Sequence, residues 1–394
     1  MSIIFIQSTL TFPKSIIFSY LSIDDSINIF KKLLYSCDNN LNKIVLIKSF
    51  ELYLCNNCQN LEVDYNIINI SFFNNINPNG TRLRNYIKKL KNVSSLHNLP
   101  NRLTHLTFCD DFNQKIDKDV LPRSLTHLTF GKKYNRPIKS NILPNSLTHL
   151  TFGDMFNIII NKNNLPNSLT HICFGKMFNQ HLLPNVLPDS ITCLTFGKMF
   201  NQPLQPNVLP NRLRHICFGN MFNQPLLPNI FPDSLTHICF GDLFNQPLLP
   251  NVFPDGLTHL IFGWYFDQPL QPNVFPDSLT HLTFGFKFNQ PLQLNVFPHS
   301  LTHLMFGYNF NQPLILGVFP NNLKYLIFGN DFMQPLLPGV FPKSLTHLTF
   351  GEMFEQPLQL GVLPSSLTYL TLDNWYDIPI PKNVLPNSLI FLNC

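Results

Sequence analysis

The chain has 394 residues, of which only 12% are charged, while 38 are Phe and 33 are Pro. Its 27 Lys and Arg against 22 Asp and Glu give a net charge of +5, but from residue 100 onward the count is 17 against 16. A net charge of +1 over that part disfavours nucleic-acid binding, which needs a basic surface.

The first predicted element is a pair of short helices within residues 12–34. Ile27, Phe30 and Leu34 share one helical face, and Asp25 is placed to cap that helix. The segment resembles an F-box, with a Phe-Pro opening, a first helix ending in Tyr-Leu-Ser, an acidic break and a second amphipathic helix. The resemblance implies docking on the Skp adaptor of a cullin-type ubiquitin ligase through Phe12, Pro13, Ile17, Leu21, Ile27, Phe30 and Leu34.

A second interpretation of residues 1–45 stays open. An F-box has about three more residues between its Pro and the position of Leu21, nearly one helical turn, so the first helix here is truncated. The alternative is a small helical cap that covers the apolar edge of the repeats that follow.

Residues 46–98 are predicted to connect this segment to those repeats. Alternating apolar residues over 41–73 predict strands or degenerate coils. Residues 81–91 predict a helix, with four apolar residues on one side and five basic residues on the others, namely Leu83, Tyr86, Ile87 and Leu90 against Arg82, Arg84, Lys88, Lys89 and Lys91. The basic side is interpreted as a solvated face.

From residue 99 to 394 the sequence repeats every 22 residues. Prolines stand at this constant interval, at Pro100, Pro122, Pro144, Pro166, Pro188, Pro210, Pro232, Pro254, Pro276, Pro298, Pro320, Pro342, Pro364 and Pro386. A fixed period of this length predicts a solenoid of about thirteen coils, each contacting only its neighbours.

One coil shows what each repeat is expected to form. Residues 213–218 alternate, which predicts a strand with Ile216 and Phe218 inward and His215 and Cys217 outward. Three prolines in the following leg exclude a helix and favour an extended return. The expected fold class is therefore a β-rich solenoid with one parallel sheet and helix-free, proline-rich return legs, plus a small N-terminal helical segment.

Two further positions recur in most coils. Gly219 and its equivalents are expected to provide either a positive φ or close packing where the chain leaves the strand. Asn223 and its equivalents are expected to bridge neighbouring coils as a ladder of buried amides, interrupted at Asp267, Met333, Glu355 and Asp377.

These patterns are similar to a known family. The spacing Leu213-x-x-Ile216-x-Phe218 resembles the leucine-rich repeat, and residues 200–203 (Phe-Asn-Gln-Pro) with residues 143–153 more closely resemble the FNIP repeats of social amoebae and of giant viruses that infect amoebae. The resemblance implies a protein-binding solenoid that, with the F-box-like segment, recruits a ubiquitination substrate to a ligase. The alternative is a structural or scaffolding repeat protein with a simple cap.

Two surface features of the solenoid are candidate sites. One strand position carries histidine in most coils, and we interpret it as a stacked ladder on the outer sheet face, including His215, His237, His259, His281 and His303. After the glycine, four aromatic residues are candidates for binding a protein partner or, alternatively, fold inward and extend the core: Trp264, Tyr265, Phe286 and Tyr308.

No set of residues predicts catalysis, so we expect a protein that is not an enzyme and binds no small molecule. Cys55 and Cys58 have the spacing of half a zinc site, but Cys37 and His97 do not complete it at a recognisable spacing, and we expect no metal or cofactor. The nine cysteines are odd in number, and no secretory leader or membrane-spanning apolar run precedes them. These features favour an intracellular chain, in the cytoplasm or nucleus, with reduced thiols.

Overall fold

The computed structural model describes residues 61–64, 87–97 and 99–393. The predicted helices of residues 12–34 and the Cys55–Cys58 pair lie outside the described residues. The described part contains strands and turns but no helix, and its strands are Leu61–Asp64 (β1), Ile87–Val93 (β2), His105–Phe108 (β3), His127–Thr129 (β4), His149–Thr151 (β5), His171–Cys173 (β6), Cys193–Thr195 (β7), His215–Cys217 (β8), His237–Cys239 (β9), His259–Ile261 (β10), His281–Thr283 (β11), His303–Met305 (β12), Tyr325–Ile327 (β13), His347–Thr349 (β14), Tyr369–Thr371 (β15) and Phe391–Asn393 (β16).

The described residues belong to two compact units. The first contains the described residues up to Tyr134 together with Asn141–His149, and the second contains Asn135–Ser140 together with the described residues from Leu150 onward. In the first unit, β1 to β4 pair in chain order and in parallel. In the second, β6 to β16 do the same, each residue pairing with the one 22 positions later. The predicted parallel β-solenoid is confirmed.

Each coil contains one short strand and three turns. In the coil that begins at Pro232, the N–H groups of Leu235, Phe244 and Val252 donate to the carbonyl groups three residues earlier, at 3.0, 3.2 and 3.3 Å. The strand is three residues long, half the predicted length, because turns close on both sides of it. The proline-rich leg has neither helix nor strand, as predicted.

The core of the second unit consists of apolar columns that run from coil to coil. Ile216 and Phe218, which were predicted to point inward, are buried, and so are the other apolar residues of that coil, namely Val208, Leu209, Leu213, Phe222 and Leu226. Phe240 and Phe244 stack within a coil at 4.0 Å between ring centroids, and Phe240 stacks on Phe262 of the next coil at 5.6 Å. A coil alone would expose these rings, so their burial depends on stacking.

The glycine that follows each strand is required by close packing. A Cβ on Gly241 would lie 1.9 Å from the carbonyl oxygen of Gly219, and a Cβ on Gly219 would lie 1.8 Å from that of Gly197. Among the described glycines, φ is positive only at three others, Gly317, Gly339 and Gly361. Of the two explanations that the sequence allowed, positive φ is therefore wrong at this column.

Those three glycines belong to a different turn, in the return leg. The position is occupied in earlier coils by Asn in the left-handed region, for example Asn251 with φ 59° and Asn295 with φ 61°. Asn and Gly are the residues that adopt this conformation at least cost. The exchange of Asn for Gly along this column is a signal in the sequence from which this turn could have been predicted.

The asparagine ladder links neighbouring coils. The Asn223 side-chain oxygen accepts hydrogen bonds from the Asn245 N–H and from the Gln246 Nε2, both at 3.0 Å. Asp267 was predicted to interrupt this ladder, and that prediction is wrong. Its Oδ1 accepts from the Asn289 N–H at 2.9 Å and from Gln290 Nε2 at 3.0 Å, because a carboxylate oxygen can replace the amide oxygen as acceptor.

The prediction of a helix over residues 81–91 is also wrong for those of its residues that the structure describes. Residues 81–86 lie outside the described part, and Ile87–Val93 form β2. This strand pairs with β1 on one side and β3 on the other, and it buries Leu90 and Val93. Pairing on both edges satisfies the backbone hydrogen-bonding groups of the strand. This tertiary contribution outweighs the preference for a helix that the spacing of the apolar residues indicated.

Candidate functional site

The histidine column forms a row of stacked rings on the outer face of the sheet. In the second unit, His237 to His303 lie face to face, with 4.0 to 4.2 Å between successive ring centroids. Tyr325 continues the row at 4.2 Å from His303. His215 is tilted by 44° relative to His237. These rings are closer than the strand spacing of about 4.8 Å, so they are in van der Waals contact.

A threonine precedes each histidine from His237 to His303 and lies within hydrogen-bonding distance of its ring. Thr280 Oγ1 donates to the Thr258 carbonyl oxygen at 3.0 Å and lies 2.9 Å from His281 Nδ1. Since the single hydroxyl hydrogen is directed to the carbonyl, His281 Nδ1 carries the hydrogen that is donated to Oγ1. His215, the tilted ring, follows Arg214 instead of threonine.

The stacked rings favour the neutral form of imidazole. Burial, the largest cause, lowers the pKa of His237, His259, His281, His303 and His347. Burial, followed by the charges of His303, His259 and His237, lowers the pKa of His281 to about 4. At neutral pH these side chains are therefore uncharged, and the row is a polar but neutral surface.

The four candidate aromatic residues lie on the surface and not in the core. Trp264 stacks on Phe286 at 4.2 Å, and Phe286 stacks on Tyr308 at 4.6 Å. Trp264, Tyr265 and Tyr308 are 47%, 48% and 40% exposed, and Phe286 is half-buried. We call the row of Trp264, Phe286 and Tyr308 the aromatic ridge.

An open groove adjoins the aromatic ridge in the following coils. It has a volume of about 570 Å³, and its lining includes Phe286, Tyr308, Met305 and Ile327. Asn330, Glu352, Asp373 and Asn374 line the same groove. The groove therefore combines apolar side chains with polar and acidic ones, a composition suited to binding part of another molecule.

A second apolar column lies beside the ridge and was not predicted from the sequence. The third residue of the strand is a half-buried Cys or Thr in β6 to β9, but Ile261, Met305 and Ile327 occupy this position further on and are 44%, 45% and 37% exposed. The sequence does contain a signal for this column, because Ile and Met replace the usual Cys or Thr at the third strand position. Both columns are apolar in the coils of Ile261 with Trp264 and of Met305 with Tyr308, and between them Thr283 lies beside Phe286.

A model of the FNIP repeat matches the chain over residues 94–133, 134–177, 178–221, 222–265, 244–287, 266–309, 288–331, 310–353 and 354–393. These matches include β3 to β16 and cover about three quarters of the chain. The chain belongs to the FNIP repeat family. The FNIP coils are the 22-residue units described above, and the stacked histidines and the aromatic ridge are features of their outer surface.

Two solved structures are similar to this FNIP chain. CroV588, described as a novel circular LRR protein, is 52% identical over 78% of the chain, with a TM-score of 0.75. The match covers 46% of CroV588, so the FNIP chain corresponds to less than half of that protein's length. An internalin, InlF of Listeria monocytogenes, matches over 98% of both chains at 14% identity and a TM-score of 0.44. No curated protein sequence matched the chain.

Neither a cluster of metal ligands nor a membrane-spanning helix occurs in the part of the chain that the structure describes. Among those residues, no three His, Cys, Asp or Glu side chains are grouped so that they could hold a metal ion. No helix within them has the length and apolarity to cross a bilayer. The adaptor-docking residues predicted between Phe12 and Leu34 lie outside the described residues.

Proposed function

We propose that this protein is a non-enzymatic interaction protein whose second unit binds a protein partner through the aromatic ridge and the adjoining groove. The supporting observation is that exposed apolar side chains cluster in two neighbouring columns, the ridge itself and the strand-end residues Ile261, Met305 and Ile327. In other coils the ridge column holds charged residues or Asn and the strand column holds Cys, Thr or Asn, so the core does not require these apolar side chains. Exposed aromatic clusters are typical centres of protein interfaces.

The charges of the groove define the chemistry of the partner. Glu352 and Asp373 line the groove together with Phe286 and Tyr308 of the ridge. A partner segment that places an aromatic or aliphatic side chain on the ridge would bring a neighbouring Lys or Arg close to these carboxylates. The proposed partner is therefore a protein segment that contains both an apolar anchor and a basic residue.

Peptide selection tests this proposal while the partner is still unidentified. A random peptide library displayed on phage is selected against the full chain, and the binding of the enriched peptides is measured by calorimetry. We expect enriched peptides to combine an apolar anchor with Lys or Arg. Trp264→Asn with Tyr308→Asn should weaken their binding at least about 30-fold, as expected for loss of anchor residues.

The substitutions are chosen to leave the fold intact, because Asn220 and Asn330 occupy the same column in other coils. Lys198→Asn, also in this column, is the matched control and should leave peptide binding unchanged. Peptides that bind the double variant as tightly as the unchanged chain would show that the ridge is not the binding site.

For the N-terminal segment, we propose that residues 12–34 dock on a Skp adaptor, so that the protein held by the ridge becomes a ubiquitination substrate. This proposal rests on the F-box-like sequence, in particular on the apolar positions Leu21 and Leu34. The alternative role is that of a scaffold, in which the segment only caps the repeats.

Calorimetry with a purified Skp adaptor and the full chain distinguishes these roles. We expect the unchanged chain to bind and the variant with Leu21→Ala and Leu34→Ala to lose detectable binding, because two apolar contacts are removed. The Trp264→Asn and Tyr308→Asn variant should bind the adaptor normally. A folded, unchanged chain that does not bind the adaptor would favour the scaffold role.

A further inference from the structure

Two cysteines face each other across neighbouring coils on the outer face of the sheet. Cys217 ends β8 and Cys239 ends β9, and the two residues are paired in register. Their side chains are half-buried and stand side by side beside the histidine row, and the Cys239 thiol lies 4.0 Å from the Phe240 carbonyl oxygen. In-register residues of parallel strands lie about 4.8 Å apart, within the Cα separation that a disulfide spans.

The contact between the thiols makes them chemically unequal. The hydrogen bond from Cys217 lowers the pKa of Cys239 to about 7, although burial and the charge of Asp242 raise it. The same hydrogen bond and burial raise the pKa of Cys217. A thiol that ionises near the ambient pH is the most effective nucleophile towards a disulfide, because it is both ionised and still strongly nucleophilic.

We propose that Cys217 and Cys239 form a thiol-modification site that reacts with a low-molecular-weight disulfide, such as glutathione disulfide, and closes to a disulfide between the two coils. The site does not include the aromatic ridge, although Cys239 is paired in register with Ile261 of the neighbouring apolar column, and its reaction does not depend on the proposed partner. Its nucleophile is Cys239, and its resolving thiol is Cys217.

The reaction proceeds in two balanced exchanges. The Cys239 thiolate attacks one sulfur of glutathione disulfide, which forms a mixed disulfide and releases one glutathione thiolate. Cys217 then loses its proton to solvent or to that thiolate and attacks Cys239 Sγ, which forms the Cys217–Cys239 bond and releases the second glutathione. Two protein thiols are oxidised and one glutathione disulfide is reduced to two glutathione molecules.

The product is expected to be readily reduced. Side chains of in-register parallel strands stand about 4.8 Å apart, whereas a disulfide needs Cβ atoms about 3.5–4.5 Å apart. The bond therefore draws β8 and β9 together against the spacing that the other coils impose. Such strained disulfides are easily reduced, so we expect reversal by an excess of reduced glutathione.

The chain supplies a matched control for this site. Cys173 occupies the same strand position as Cys217 two coils earlier, but its in-register neighbour on the next strand is Thr195. Burial is the largest cause that raises the pKa of Cys173. Cys173 thus has a similar position in the fold without a thiol directly opposite on that side, and we expect it to react slowly.

The test treats the full chain with glutathione disulfide near neutral pH, blocks the remaining thiols by alkylation and identifies the products by mass spectrometry. We expect a peptide pair joined through Cys217 and Cys239, with Cys173 alkylated and free of glutathione. With Cys217→Thr, Cys239 should retain a stable glutathione adduct because the resolving thiol is absent. With Cys239→Thr, modification of Cys217 should be about tenfold slower or more.

Threonine is a conservative choice because Thr195 and Thr283 occupy this strand position in other coils. Thermal melts of both variants establish that they are folded. Separate glutathione adducts on Cys217 and Cys239, a disulfide formed instead with Cys193, or equal reaction rates at Cys173 and Cys239 would each overturn the proposal.

Discussion

Replacing Gly241 by alanine is expected to destabilise the second unit by at least about 3 kcal/mol. The added Cβ would lie 1.9 Å from the carbonyl oxygen and 2.4 Å from the carbonyl carbon of Gly219. Both atoms belong to the backbone, and the adjacent coils are held together by the Leu243 N–H, which donates to the Asn220 carbonyl oxygen at 2.8 Å. The coils must therefore separate locally to admit one methyl group.

Urea unfolding followed by circular dichroism measures this effect, and Gly339→Asn provides the control. Gly339 has φ of +80°, and a Cβ added there meets no atom within 4 Å. Asn251 and Asn295 occupy the same position of other coils with positive φ. We expect this variant to change stability by no more than about 1 kcal/mol. Equal losses in the two variants would contradict close packing as the role of Gly241.

The second unit is expected to lose stability as the pH falls from about 6.5 towards 4. Folding lowers the pKa of His237, His259, His281, His303 and His347, that of His281 to about 4. The unfolded chain, whose histidines titrate near 6.5, then binds more protons than the folded chain in this window. The stabilisation is complete above the unfolded pKa and is lost as the rings become protonated.

Melting temperatures at about pH 7.5, 5.5 and 4.5 test this dependence. After allowance for solvent screening of these partly exposed rings, we expect a decrease of at least about 5 °C across the series. The variant with His259→Tyr, His281→Tyr and His303→Tyr is the control. Tyrosine already occupies this column at Tyr325, where it stacks at 4.2 Å on His303, and it does not ionise in this range. A wild-type chain whose melting temperature is independent of pH would contradict the predicted effect.

Much of the fold could be predicted from the sequence because the repeat makes each inference apply many times. The period of 22 residues, the inward residues such as Ile216 and Phe218, and the absence of helix in the proline-rich legs follow from spacing and backbone chemistry alone. The stacking surface was predictable for the same reason, since residues at equal positions of successive coils must lie side by side.

Predictions failed where the result depended on a neighbouring coil. Helical spacing over residues 81–91 gave no indication that strands on both sides would pair with Ile87–Val93. Asp267 differs in charge from Asn, but the coils present an N–H and an amide donor to it, and its oxygen accepts both. In each case the partner's geometry, and not the residue type, determined the outcome.

The repeat, the family resemblance, the strand position and the inward face of each coil can be predicted without a structure, because these depend on periodicity and on local backbone preferences. The three-dimensional contacts were needed to explain why Gly241 is glycine, to assign the hydrogen to one nitrogen of His281 and to show that Trp264 stacks outward on Phe286. Those properties depend on distances between atoms of different coils. Such distances arise from stacking and cannot be obtained from one coil's sequence.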